Sequence, residues 1–135
     1  MTTYDTNFFG LIAVTQAMIP MLKKSPAGRI VNMSSGLGSL AQTADPTWEF
    51  RSANLLAYNS SKTAVNAVTV QFANELSGTA IKVNSADPGY VGTDLNQHRG
   101  PRSVSQGAAE PVRLATLPED GPTGAFFNEV GPVPW

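Results

Sequence analysis

The chain has 135 residues, 41% of them hydrophobic, which is enough for one core in a single domain spanning 1–135. Nine basic and ten acidic residues leave a net charge of -1, so there is neither a positive field for a phosphate backbone nor a polybasic membrane patch, and nucleic acid and membrane are excluded as partners. The absence of cysteine excludes disulfides, thiolate catalysis and cysteine-ligated metals; no metal is assigned, and cytoplasm is the expected location.

The first predicted element is a helix from about Tyr4 to Lys24, with Asp5 near its start and Lys23 and Lys24 at its end, each complementing the helix dipole. Its apolar run, Phe8 to Leu22, is shorter than a bilayer span and is interrupted by Thr15, Gln16 and Pro20. Asp5 also stands where a signal peptide would carry positive charge, so the run reads as a buried helix whose last turn Pro20 bends. Gly28 then opens Arg29-Ile30-Val31-Asn32-Met33-Ser34, a short β-branched run expected to form a buried strand that stops by Gly36. Ala41 to Asn54 reads as a long loop in which Trp48 and Phe50 could cover a ligand.

A second long helix is expected over Leu55 to Leu76, ended by Ser77-Gly78. Ala80 to Ala86 is the next strand, running into the turn Asp87-Pro88-Gly89. A third helix follows over Val104 to Leu117, despite Gly107 and Pro111, then a last strand over Gly124 to Val130 and a Pro-rich tail to Trp135. This alternation is the α/β pattern that builds a parallel sheet through crossover helices. The first helix is apolar nearly all round, so a three-stranded sheet covers only one of its sides.

Tyr58 and Lys62 stand four residues apart on the second helix and so share a face. An ammonium beside a phenol lowers the cost of the phenolate and brings the hydroxyl nearer to acid and base use. The bare pair equally suits an exposed helix surface. Its context is Ser34-Ser35 at the end of the upstream strand, and strand carboxyl ends are where open α/β sheets place ligands.

Three ordered motifs, Gly28-Arg29-Ile30-Val31-Asn32-Met33-Ser34-Ser35, Tyr58-Asn59-Ser60-Ser61-Lys62 and Pro88-Gly89-Tyr90-Val91-Gly92-Thr93, together resemble the short-chain dehydrogenase/reductase family. Asn7 in Thr6-Asn7-Phe8-Phe9-Gly10 matches the family's helix asparagine. The resemblance implies an NAD(P)-dependent oxidoreductase that reduces carbonyls or oxidises alcohols by hydride transfer. In that reading Ser35, chosen over Ser34 by family alignment, polarises the substrate carbonyl, and Tyr58 exchanges a proton with its oxygen. Lys62 holds the nicotinamide ribose and favours the tyrosinate, while Asn7 anchors a water that links Lys62 to solvent. Pro88, Gly89, Val91 and Thr93 resemble the loop that contacts the cofactor, NADP or NAD, beside Tyr58 and Lys62.

The 23 positions between Ser35 and Tyr58 exceed the commonest spacing and resemble the carbonyl-reductase-like branch. Trp48, Phe50, Leu56, Tyr90 and Leu95 then become pocket candidates for a bulky or apolar carbonyl substrate. Family members begin with a strand, a glycine-rich turn and a helix that binds the pyrophosphate. Gly36-Leu37-Gly38-Ser39-Leu40-Ala41 fits the fingerprint Gly-x-Gly-x-x-Ala but is rejected, because Gln42 to Asn54 does not open a helix. The expectation is therefore a partial Rossmann-like, three-layer parallel sheet, strands 5 to 7 of the family fold, with the amino-terminal dinucleotide-binding half missing.

Two other functions compete with this one. A cofactor-free truncated member would serve as a dimerising or binding module. A serine hydrolase would use Ser34 or Ser35 with His98 and Asp87 or Asp94, but the required Gly-x-Ser-x-Gly elbow is absent. A homo-oligomer is expected in either of the first two cases, through the two long helices or the exposed edge of the first strand.

Overall fold

The computed structural model describes residues 2–135. Four strands form one sheet in the order β1 (Arg29–Met33), β2 (Lys82–Ala86), β3 (Phe126–Asn128) and β4 (Gly131–Pro132). β1 and β2 pair in parallel from Arg29↔Lys82 to Met33↔Ala86, and β3 joins in parallel at Ser85↔Phe126. The expected helix and strand alternation is present. β4 is an addition: part of the Pro-rich tail turns back at Gly131, where φ is +147°, and pairs antiparallel with β3. Pro132 is tolerated there because an edge strand has a side on which no backbone donor is needed.

Side chains alternate across the sheet and divide the core into two layers. Ile30 and Val83 face α4 (Leu56–Glu75), where Val68, Phe72, Ala73, Leu76 and Ile81 are buried with them. Val31 and Ala86 face the other way, onto Leu114 and Leu117 at and beyond the end of α5 (Val104–Ala115). The three-layer α/β architecture follows from this two-sided packing.

The first helical run is not regular. A short α1 (Thr2–Tyr4) passes into π-helix over Asp5–Gly10 before α2 (Leu11–Leu22) resumes the α pattern. Gly10 permits the wide turn, since a Cβ there would lie 3.0 Å from the Asp5 carbonyl oxygen. Phe8, Leu11, Ile12, Ile19 and Leu22 pack on the α4 core, whereas Phe9, Val14, Met18 and Met21 remain exposed. One side of the run is thus buried and one is open, as its all-round apolarity required.

α4 carries a buried stripe of Ser61, Val65, Val68, Thr69 and Phe72. Thr69, fully buried, is the polar hub that fixes it. Its hydroxyl accepts from Asn32 Nδ2 at 2.8 Å, bonds Ser85 Oγ at 2.7 Å and donates to the Val65 carbonyl at 3.0 Å. One side chain therefore ties α4 to both β1 and β2, which sets the height of the helix over the strand ends.

The segment after β1 also departs from a plain loop. Gly36–Gly38 forms a 3-10 turn, and α3 (Leu40–Ala44) is a short helix capped by Ser39 Oγ, which accepts from Gln42 N at 3.1 Å. The expectation of a loop from Ala41 is therefore corrected, because a serine in the right place supplies an N-cap, while no helix opens between Gln42 and Asn54. The glycines themselves serve packing. A Cβ on Gly38 would lie 2.7 Å from the Lys62 carbonyl carbon, so Gly38 lets this segment approach α4 backbone to backbone. No helix of the described residues is long and apolar enough to cross a membrane.

Candidate active site

The amino-terminal turns of α4 extend its buried stripe beyond the sheet, over the carboxyl ends of β1 and β2. This brings the 58 and 62 positions onto the residues leaving β1. Lys62 Nζ donates to the Met33 carbonyl at 2.9 Å, and its ammonium lies 5.7 Å from the Tyr58 ring centroid. Thr63 Oγ1 donates to the Gly38 carbonyl at 2.9 Å and closes the same junction further along.

The two serines separate by role. Ser34 is buried and its hydroxyl is directed to the Lys62 carbonyl at 3.4 Å, a bond between strand and helix backbone. Ser35, half-buried, shares a side-chain hydrogen bond with the Tyr58 phenol, and its Oγ accepts from Leu37 N at 3.1 Å.

Burial pushes the Tyr58 phenol above the usual tyrosine range, the Ser35 hydrogen bond partly offsets this, and the nearby Asp87 carboxylate adds to the rise. Burial also pushes the Lys62 ammonium below the usual lysine range. Ammonium and phenol were expected to bring the phenolate within reach; in this chain desolvation dominates both groups, and each is moved toward its neutral form. What results is a protonated phenol beside a serine hydroxyl.

Asn7 sits inside the π-helical turn and reaches α4 through Nδ2, which donates to Ser61 Oγ at 3.0 Å; Ser61 Oγ donates in turn to the Tyr58 carbonyl at 2.7 Å. Asn7 therefore contacts the helix turn that carries the phenol and the ammonium. Ser61, the link between them, carried no signal in the sequence beyond its place between Tyr58 and Lys62. The π-helical widening around Asn7 is a local irregularity of the kind found at functional positions.

The loop after β2 is preformed. Asp87 N donates to the Phe127 carbonyl, and Asp87 Oδ1 accepts from Gly89 N at 2.9 Å, so the turn at Pro88-Gly89 is closed by its own side chain. Gly89 has φ +75°, and a Cβ there would lie 2.7 Å from Arg102 Cδ. Arg102 crosses above it, donating to the Pro88 carbonyl at 3.0 Å and pairing with Glu129. Farther along, Asn96 Nδ2 donates to the Val91 carbonyl at 2.6 Å and Thr93 N donates to Asn96 Oδ1 at 3.1 Å. Pro88, Gly89, Val91 and Thr93 are thus held in one hydrogen-bonded loop after β2. Arg102, which does much of that holding, was not singled out by its sequence position.

The five pocket candidates divide. Trp48, Phe50 and Tyr90 form a chain of edge-to-face rings, with centroids 5.6 Å and 6.4 Å apart. Leu56 instead lines a groove of about 620 Å³ between α3 and α4, together with Leu37, Leu40 and Ala64, and is 83% exposed. Leu95, at 94% exposure, stands clear on the 94–96 turn. His98 pairs with Asp94 at 2.7 Å on that exposed turn, while Ser35 is partnered by Tyr58. The described residues contain no group of three or more His, Asp and Glu side chains that could hold a metal ion.

A family model described as short chain dehydrogenase matches residues 1–103. The chain belongs to the short-chain dehydrogenase family. Similar curated relatives include the (-)-isopiperitenone reductase of Mentha piperita, 34% identical over 90% of this chain and 49% of the relative. Another is carbonyl reductase [NADPH] 1 of Bos taurus, 31% identical over 98% of this chain and 61% of the relative. Among solved structures, NADPH-bound carbonyl reductase from chicken fatty liver superposes with a TM-score of 0.80 at 27% identity, covering 98% of this chain and 55% of that one. Salutaridine reductase of Papaver somniferum gives a TM-score of 0.75 at 31% identity, covering 91% and 52%. This short-chain dehydrogenase chain spans about half the length of the curated relatives it matches.

Proposed function

We propose that the chain is the catalytic half of an NAD(P)-dependent carbonyl reductase. The observation that carries this reading is the alignment of the Ser35 hydroxyl, the Tyr58 phenol and the Lys62 ammonium at the carboxyl end of β1. Ser35 donates to the carbonyl oxygen of the substrate and holds it toward the phenol. Tyr58, kept protonated by its burial, gives its proton to that oxygen as negative charge develops there. A nicotinamide cofactor, when bound, would supply the hydride for this reduction.

The residues present fit the nicotinamide end of such a cofactor. Lys62 Nζ spends one donor on Met33, and an ammonium carries three, so it has donors to offer ribose hydroxyls. Pro88, Gly89, Val91 and Thr93, in the loop after β2, would meet the cofactor through their backbone groups and a hydroxyl. Asn7, through its contact with Ser61, holds the turn that carries Lys62. Trp48, Phe50 and Tyr90 line the substrate side.

Co-purification with an amino-terminal half from a relative should yield cofactor-dependent carbonyl reduction. A pair that assembles yet stays inactive across a broad panel of carbonyls and alcohols refutes the reading. The exposed apolar side of α2, with Val14 and Met21 each 65% exposed, favours a second reading in which the chain acts as a cofactor-free dimerising module. That reading predicts an intact oligomer with no change in NADPH fluorescence at high protein concentration.

A further inference from the structure

Ser35 stands at the head of a single hydrogen-bonded turn. Its Oγ accepts from Leu37 N at 3.1 Å, its carbonyl accepts from Gly38 N at 2.8 Å, and the Gly36 carbonyl accepts from Ser39 N at 3.0 Å. The 3-10 turn thus runs unbroken from Ser35 to Ser39, and a displacement at one end is passed to the other. Two walls flank it. On one side a Cβ on Gly38 would meet the Lys62 backbone, and Thr63 Oγ1 donates to the Gly38 carbonyl. At the corner by Gly36 a Cβ would lie 3.2 Å from each of Asp87 Oδ2, Gln42 Oε1 and Trp48 Cζ2, so that corner is filled.

A third support comes from the far end of the sequence. Ser39, fully buried, donates through Oγ to the Pro134 carbonyl at 2.6 Å, and Ala41 N donates to the main-chain oxygen of Trp135 at 2.9 Å. The tail that offers these acceptors is itself anchored. Asn128 Oδ1 accepts from Val130 N at 2.9 Å and Gly131 N at 3.2 Å, which closes the turn into β4. Val133 N then donates to the Phe126 carbonyl at 2.8 Å, and the Trp135 ring stacks on the buried Phe126 ring with centroids 5.8 Å apart. Covering Phe126 would account for the stacked ring. It does not account for two acceptors aimed at residues 39 and 41.

We propose that residues 133–135 form a strap that positions the Ser35 hydroxyl against Tyr58, with Trp135 as its anchor. The stack on Phe126 fixes the tail to β3, and the Pro134 and Trp135 oxygens carry that position to the turn headed by Ser35. Trp135 is a positioning residue, acting through Ser39 and the turn. That Ser35 acts on a substrate rests on the redox reading given above; that the tail places Ser35 does not.

The test follows the ionisation of Tyr58 in the full chain by NMR of ring-labelled tyrosine, with Tyr58→Phe identifying its resonance. The Ser35 hydrogen bond lowers the Tyr58 value, so weakening it moves the titration upward. Trp135→Ala is expected to shift Tyr58 upward, as Ser35→Ala does, and to add nothing once Ser35 is already Ala. Trp135→Phe keeps a ring to stack and should titrate like the native chain. Leu114→Ala, which loosens the opposite core layer, should leave Tyr58 unmoved. A native titration in folded Trp135→Ala, an equal rise in Leu114→Ala, a further rise in the Ser35→Ala background, or a Trp135→Phe chain that behaves like Trp135→Ala overturns the proposal. Should Trp135→Ala not fold, amide exchange in the parent chain decides. The Ala41 amide, held by the tail, should exchange no faster than the Ser39 amide inside the turn, and exchange at least about tenfold faster shows that the tail opens while the turn stays closed, which overturns the strap. No cofactor, partner polypeptide or turnover enters these readouts, so the strap and the redox reading fail separately.

Discussion

Replacing Thr69 with Val removes one hydroxyl from the joint between α4 and the sheet while keeping nearly the same volume. In the native chain that hydroxyl accepts from Asn32 Nδ2 and bonds Ser85 Oγ, and both partner residues are buried. Its own donation goes to the Val65 carbonyl, which is inside a helix. The substitution therefore strands two buried donors. Each costs about 1–3 kcal/mol when left unpaired, so the loss is roughly 2–6 kcal/mol, a large part of the ~5–15 kcal/mol typical of a whole domain. Equilibrium urea unfolding should show the midpoint fall by about 1 M or more with an unchanged slope. Adding Ser85→Ala should recover part of the loss, because one stranded donor is then gone. A destabilisation below about 0.5 kcal/mol would refute the assignment of Thr69 as the hub that sets the height of α4.

Three further outcomes follow from the same geometry. Gly38→Ala forces a Cβ to 2.7 Å from the Lys62 carbonyl carbon, and should cost about 1–3 kcal/mol in urea unfolding as the backbones separate. Ser35→Ala removes the one contact that lowers the Tyr58 value, so ultraviolet titration of tyrosinate should place Tyr58 still higher than in the native chain. The sign for stability is fixed: the Tyr58 contribution is intact below the ordinary tyrosine value near ~10 and is lost as pH rises toward the folded value. Light scattering at micromolar concentration should show an oligomer, and Val14→Glu with Met21→Glu should give a monomer by placing charge on the exposed side of α2.

The legible features were those set by short-range pattern. A β-branched run and two Ala-rich or apolar runs declared β1, α2 and α4, and a four-residue spacing put Tyr58 and Lys62 on one face. The π-helical turn at Asn7 was not legible, because it needs Gly10 to make room and α4 to hold it. β4 was hidden by Pro132, a residue that argues against a strand unless the edge position is known. Leu56 and Leu95 were grouped with the aromatic side chains through the carbonyl-reductase-like resemblance, and the direction of the helix and of the 94–96 turn parts them. The direction of the Tyr58 shift depended on burial, which no spacing reports. The corner at Gly36 gathers residues 42, 48 and 87 from three segments, a convergence created only by the tertiary fold.

The central claim is that the Tyr58 phenol hands the proton to the reduced carbonyl. The decisive measurement compares Tyr58→Phe with the native chain, each assembled with the same amino-terminal half, following NADPH absorbance during reduction of an aromatic ketone. Loss of the positioned acid should lower turnover by about 10²–10⁴-fold while NADPH binding, read by fluorescence, changes little. Turnover within a few-fold of native would contradict the account.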